Sequence, residues 1–416
     1  MVIEDVKNIL NIKGCYVLKG SFFRDNLRYA VERVDELKKE ELAKRMVGTI
    51  RRRFPGQSGL VYCLSIKEVE EVTEKLNAGG VKAMPYHAQL SSEARKRAYL
   101  RWFTDQVQVI VATVAFGMGI NKNSVRFVLH YTLSKSFENY YQETGRAGRD
   151  GRPAHCILYL KFADVFRVSS LTFTERHGLQ NIYAMMAYCF NRRTCRKRQI
   201  ADYFGDSWAH QCGDRCDNCA SGGGEGDGDG GQLVEVDVTE DVADLMNILA
   251  FVATRQDRKL TFPKLMDLWF GKGEKRLRPD SLVICRHSRE AAQTIVACLL
   301  VDGYLKEEFH FTPYSTISYV TAGPSSWLMK GGGGPQQPIR YWLPPSSSST
   351  TKKSGGKQSA KRASTTEGDD SPEQMEAVAS KRKRTLKSDD QGKSKVTTNG
   401  ENTQKSAVDY ELITLE

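Results

Sequence analysis

Between residues 57 and 160, short apolar runs alternate with amphipathic ones, and this alternation constrains the fold more than any other feature of the chain. Ser58-Gly59-Leu60-Val61-Tyr62-Cys63-Leu64 reads as a buried strand, Ile66 to Leu76 as an amphipathic helix, and Val81 to Tyr86 as a short strand. Ser91 to Phe103 reads as a helix with a serine cap and Glu93 near its positive end. Val107 to Ala112 and Val125 to His130 are β-branched runs of strand length, Ser136 to Glu143 is helical, and His155 to Leu160 returns as a strand. Strands alternating with helices predict an α/β domain on a parallel sheet covered on both faces, with ligands met by the loops that follow the strands.

Beyond residue 160 the pattern changes. Residues 161–221 are helical and basic and end in clustered cysteines, and 222–239 contain a glycine and acid tract expected to be a flexible linker. Residues 240–325 read as helices at Asp241 to Ala253, Phe262 to Phe270 and Arg289 to Asp302, then a hairpin from Tyr304 to Phe309 and Tyr314 to Val320. Three helices followed by a hairpin is the layout of a winged helix, a DNA-binding relative of the helix-turn-helix. Residues 326–416 are expected to form a disordered basic tail.

The net charge of +11 suits an acidic polymer as partner. Residues 331–416 hold 14 Lys and Arg against 11 Asp and Glu, so +8 lies on residues 1–330. No apolar run reaches the ~18 residues of a membrane span, and the start Met1-Val2-Ile3-Glu4-Asp5 lacks the layout of a signal peptide. Ten cysteines in such a chain suggest a reducing compartment and metal binding.

Gln142-Glu143-Thr144-Gly145-Arg146-Ala147-Gly148-Arg149-Asp150-Gly151 places two arginines three residues apart between glycines. Guanidinium groups bind phosphate oxygens bidentately, and glycines let the backbone approach closely. The competing reading is a basic loop paired with acidic side chains. No G-x-x-x-x-G-K-[ST] phosphate loop and no D-E-x-H box occur, so the chain as it stands is expected not to hydrolyse ATP alone.

Cys195, Cys212, Cys216 and Cys219 give C-x16-C-x3-C-x2-C, four thiolates that can hold a tetrahedral zinc from a tight turn. Cys189 competes with Cys195 but lies in an apolar run and reads as core, as do Cys63 and Cys156. Gly271-Lys272-Gly273-Glu274-Lys275-Arg276 forms a basic loop suited to phosphates, and Phe309, Phe311 and Tyr314 either stack on bases or pack as ordinary sheet aromatics.

Val111-Ala112-Thr113-Val114-Ala115-Phe116-Gly117-Met118-Gly119-Ile120 together with the arginine run resembles motifs V and VI of a superfamily 2 helicase, in the RecQ version. The resemblance covers about residues 10 to 325 in the order second motor domain, zinc module and winged helix. It implies a RecA-like parallel-sheet motor domain over residues 1–160. It also implies an ATP-dependent 3′→5′ DNA helicase of the short eukaryotic type, working in replication, recombination or repair. Gln142, Arg146 and Arg149 would then face the γ-phosphate, with Arg149 as the arginine finger, and Gly117, Gly119 and Asn121 would border the nucleotide. ATP and magnesium are implied only together with the first motor domain. Tyr86-His87-Ala88 resembles the motif that touches the single strand, although a buried structural histidine is the alternative, and Thr113 resembles the motif V contact to DNA phosphate. Lys272, Lys275 and Arg276 would meet phosphates, Tyr314 matches an aromatic that helps part the strands, and the zinc is implied to be structural. Asn121 and Asn123-Ser124 depart from the family's aspartate and proline-aspartate, which puts nucleotide coupling in doubt.

Single-stranded and forked DNA are the expected partners, with self-association or pairing with a full-length helicase as a further expectation, and no membrane. Two rivals stand beside the helicase: a non-catalytic fork-binding short form and a winged-helix regulator. The start of the chain, where a first motor domain would end, fits either a fragment or a short isoform. Lys381-Arg382-Lys383-Arg384, with Lys361-Arg362 upstream, resembles a bipartite nuclear import signal, so a nuclear location is expected.

Overall fold

The computed structural model describes residues 7–12, 14–15, 22–117, 120–208, 211–220, 233–255, 259–329 and 337–345. The apolar runs become β2 (Gly59–Tyr62), β3 (Ala83–Tyr86), β4 (Val109–Ala112), β5 (Phe127–His130) and β6 (Ala154–Leu160), joined by an earlier strand, β1 (Leu27–Arg33). All neighbours are parallel, in the order β1-β6-β5-β2-β4-β3. This is the parallel sheet of an α/β domain that the alternation predicts. Strands β2, β4 and β5 are buried at every position, as a sheet covered on both faces requires.

The two faces separate by alternation. Val61, Val109, Val111 and Leu129 pack with Leu42, Met46 and Ile50 of α1 (Lys39–Arg53) and Val69, Val72 and Leu76 of α2 (Ile66–Ala78). Leu60, Ile110 and Val128 face α3 (Ser92–Phe103) and α4 (Phe137–Thr144) through Trp102 and Tyr140. Ser65, Ser91 and Ser136 cap their helices by accepting from the backbone three residues on, which fixes where each strand-to-helix loop ends. Strand β5 starts at Phe127 rather than Val125, and the Val125 carbonyl instead accepts from Gly148 N at 2.9 Å.

After the sheet come α5 (Phe162–Thr172), α6 (Gly178–Phe190), α7 (Arg196–Tyr203) and the single turn α8 (Asp217–Ala220). The last region contains α9 (Thr239–Ala253), α10 (Phe262–Trp269), α11 (Arg289–Val301) and an antiparallel hairpin of β8 (Leu305–Phe311) and β9 (Thr316–Ala322). The hairpin is fastened to α5 at two points. Buried Glu307 accepts from Ser169 (2.6 Å) and Ser318, and Phe309 stacks on Phe173 with centroids 4.2 Å apart.

Two assignments need correction. The segment 222–239 is not linker throughout, and 326–416 is not tail throughout. Val234–Asp237 forms β7, which pairs antiparallel with β10 (Arg340–Leu343), and a 3-10 helix spans Pro324–Met329. The apolar alternation of Val234 and Val236 against Tyr341 and Leu343 is enough for a two-stranded ribbon, but glycine- and serine-rich flanks hide it in composition. The import-signal-like residues 361–384 lie outside the described residues.

Candidate nucleotide-facing loop, metal centre and nucleic-acid surface

The arginine run leaves α4 and crosses beneath the segment that follows β4. Gly148 sits at φ +58, and a Cβ there would lie 2.4 Å from Asn26 Nδ2 and 2.9 Å from Arg152 O, so only glycine fits without rearrangement. Its carbonyl accepts from Asn26 Nδ2 (2.7 Å) and Arg24 Nη2 (3.0 Å), and its N–H donates to Val125 O. These contacts clamp the loop between the lead into β1 and the lead into β5. Neither Arg24 nor Asn26 was anticipated, since no local spacing links them to a loop more than a hundred residues away.

The clamp sets the two arginines differently. Arg149 is exposed and donates one Nη1–H to Ile120 O at 2.7 Å. Arg146 is buried, lies beside Gly117 and the Tyr62 phenol, and its Nε has no partner among the described residues. Burial pushes the Tyr62 phenol up, Arg146 pulls it the other way, and its O–H donates to Phe116 O at 3.0 Å. Glu143 is tied to His130 Nε2 (2.8 Å) and Ser134 (2.7 Å) in a buried cluster, so the helix end preceding the arginines is rigid. Gln142 is exposed on the same helix. Asn121 is exposed between Ile120 and Lys122, whose buried ammonium donates to Trp102 O, Phe103 O and Asp105. Gly117 is described, whereas Gly119 lies outside the described residues.

The four predicted cysteine ligands converge. Their sulfurs all lie within 4.8 Å of one another, with Cys195 and Cys216 Sγ 3.9 Å apart. Tetrahedral Zn–S bonds of ~2.3 Å place sulfurs about 3.8 Å apart, so the donor set fits zinc in size and chemistry. Hydrogen bonds from Cys195 and then Cys212 pull the Cys216 thiol down toward thiolate, the form that binds metal. Buried Arg196 pairs with Asp217 at 2.9 Å, and Asn218 donates to Asn191 O and Thr194 O, so the knuckle also fixes the loop before α7. Cys63, Cys156 and Cys189 are buried in the core.

His87 and Thr113 meet at the carboxyl ends of β3 and β4, where Thr113 N donates to Tyr86 O at 3.3 Å. His87 is only 4% exposed and holds Glu70 at 2.7 Å, which puts it on the structural side of the two readings. Thr113 Oγ1 accepts from Ala115 N within its own turn. Lys272 and Lys275 are exposed; Arg276 is also exposed but grips Glu274 at 2.7 Å, so it is the less available cation. At the hairpin tip, Thr312 and Ser315 lock a turn through Ser315 N to Thr312 Oγ1 (3.0 Å), and Tyr314 stands 98% exposed. Of the three candidate aromatics, Phe309 is packed, Phe311 is partly free and Tyr314 is wholly presented.

Residues 38–151 match the helicase conserved C-terminal domain, and residues 162–220 match the RecQ zinc-binding domain. These two matches, in this order, support a RecQ-family helicase C-terminal region. It is 42% identical over 329 residues to ATP-dependent DNA helicase Q1 of Pongo abelii, covering 79% of this chain and 49% of that protein. To the putative ATP-dependent DNA helicase Q1 of Caenorhabditis elegans it is 40% identical, covering 80% and 51%. To the RecQ-like DNA helicase BLM of Xenopus laevis it is 33% identical, covering 77% and 25%. The chain spans about half the length of the first of these curated relatives. No helix among the described residues of this RecQ chain is long and apolar enough to cross a membrane.

Proposed function

We propose that this chain supplies the arginine finger, zinc platform and strand-separating wedge of an ATP-dependent 3′→5′ DNA helicase. The observation that carries the reading is the Arg146–Arg149 loop, clamped by Arg24 and Asn26 with Arg149 exposed. Arg149 is assigned to stabilise charge on a transferring phosphoryl group, with Gln142 beside it and buried Arg146 coupling the loop to the Gly117 segment. ATP and magnesium would be held mainly by a domain bearing a phosphate loop, which this sequence lacks. The chain by itself is therefore proposed to be inactive in hydrolysis.

On the DNA side, Thr113, Lys272 and Lys275 are proposed to contact phosphates, and Tyr314 to stack at the fork. Residues 240–325 act in this reading as a winged helix, and zinc held by Cys195, Cys212, Cys216 and Cys219 is structural. The activity is assigned to replication, recombination or repair in the nucleus, with pairing to a full-length helicase as a further proposed contact.

Binding of the purified chain to forked and blunt duplex DNA, together with ATPase on single-stranded DNA, tests the proposal. Fork preference that falls steeply with salt and no hydrolysis are expected. Equal binding to blunt duplex would defeat the fork reading, binding to neither would defeat the DNA reading, and hydrolysis by the chain would defeat the assigned division of labour.

A further inference from the structure

A cleft of about 880 Å³ opens between α6, α7, α11 and β10, away from the arginine loop and the hairpin tip. Trp342 lies at its edge, 38% exposed, on the strand of the ribbon that composition concealed. The Arg193 guanidinium lies over the Trp342 ring, 3.9 Å from its centroid. Among the described residues, Arg193 makes no ion pair, whereas Arg192 is shared with Glu290 and Arg340 reaches Glu235 only at 4.0 Å. The cleft's carboxylates are engaged: Asp302 accepts from Tyr341 Oη at 2.7 Å, and Asp202 faces Arg198. An anion entering the cleft therefore meets three guanidinium groups at the rim, while the nearest carboxylate without a cation, Asp302, is turned to the Tyr341 phenol.

The loop that presents Arg193 is stiff. Asn191 Oδ1 accepts from Arg193 N (3.0 Å) and Thr194 N (3.1 Å), while Asn218, between two zinc ligands, holds Asn191 O and Thr194 O. An exposed indole, an unpaired guanidinium already stacked on it, and a cationic rim are the parts from which single-strand binding surfaces are built. A cleft of this volume lies in the range of small-ligand sites and takes a few unstacked nucleotides.

We propose that this cleft is a second nucleic-acid site, in which a base of single-stranded DNA stacks on Trp342 while Arg193 turns to the adjacent phosphate. The inference rests on the DNA-directed reading above, and it gives the zinc knuckle a task beyond stability, since Asn218 holds the loop that aims Arg193.

The test uses the whole chain with an oligothymidylate carrying 5-iododeoxyuridine. Photocross-linking followed by peptide mapping is expected to mark residues 337–345, and Trp342→Ala and Arg193→Ala are each expected to weaken strand binding about tenfold. Trp342→Phe should recover most of the affinity, with zinc content and melting temperature unchanged in all three variants. Wild-type affinity in Trp342→Ala, or cross-links confined to the hairpin and motor loops, overturns the site. Displacement by thymidine monophosphate as effective as by the oligomer makes it a free-nucleotide pocket and overturns the strand assignment. A wild-type chain that binds neither strand nor fork removes the functional reading itself, whereas strand binding that survives Trp342→Ala removes only this inference.

Discussion

The cysteine knuckle and the arginine loop both gather polar groups into one place, yet they are put together in opposite ways. The knuckle draws all four sulfurs from residues 195–219 and closes them to within 4.8 Å. The arginine loop depends on Arg24, Asn26, Gly117, Ile120, Val125 and Glu143, contributed by four separate parts of the sheet domain. A self-contained site is specified by its own sequence and fails by unfolding. A composite site is specified by the fold around it and fails by losing function while the fold persists.

Breaking the knuckle is expected to give the largest effect. Structural zinc contributes on the order of 10 kcal/mol of folding free energy in small modules. Cys216→Ser should abolish stoichiometric zinc and expose residues 191–220 to fast hydrogen exchange; full zinc occupancy with unchanged protection would mean that the cluster is not a metal site. Arg149→Ala is the counterpart on the other side of the comparison. Joined to a phosphate-loop domain, it should lose roughly 10³–10⁵ in ATP hydrolysis with no change in melting temperature. A merely structural arginine would show the reverse.

Gly148→Ala tests whether the composite loop is as rigid as its contacts imply. The side chain would enter at φ +58 against Asn26 and the Arg152 carbonyl, so a stability loss of about 1–3 kcal/mol is expected, read by denaturant titration. Asn26→Ala combined with it should relieve part of the clash, and strict additivity would show that the two do not couple. Tyr314→Ala comes next. A residue 98% exposed at a locked turn should leave stability within about 0.5 kcal/mol, yet cost about 1–3 kcal/mol in fork affinity if it stacks on a base.

The same contrast explains what could be read in advance. Strands β2 to β6 were legible because a buried parallel strand is an uninterrupted apolar run, and their helices because serine caps mark where each begins. Strand β1 was not, since Leu27 to Arg33 is an edge strand with three charged residues in seven and resembles an exposed segment. The four cysteines were legible from spacing alone. Arg24 and Asn26 were not, because their role exists only once β1 is laid beside β6. Trp342 was hidden for a different reason: a four-residue strand among glycine, proline and serine has no compositional signal of its own.

The smallest expected effect concerns the joint between the hairpin and the helices below it. Glu307 is a carboxylate buried on β8, and burial raises its pKa above the usual range, although hydrogen bonds from Ser169, Ser318 and Tyr183 pull it back. A raised folded-state pKa means that the protonated form fits the fold better. Its contribution is then fully present below the unfolded carboxylate value and is lost as pH rises through the folded one. Glu307→Gln keeps an acceptor for the hydroxyls without a charge to bury, so at neutral pH it should equal or exceed wild type in stability, by about 1 kcal/mol at most. The gap should close as pH falls into the carboxylate range, read from melting temperatures across that interval. A variant less stable than wild type at neutral pH, with the deficit unchanged in acid, would show that the carboxylate is held for its geometry. The hairpin that presents Tyr314 would then be anchored as rigidly as the zinc knuckle, rather than through a charge that the fold tolerates.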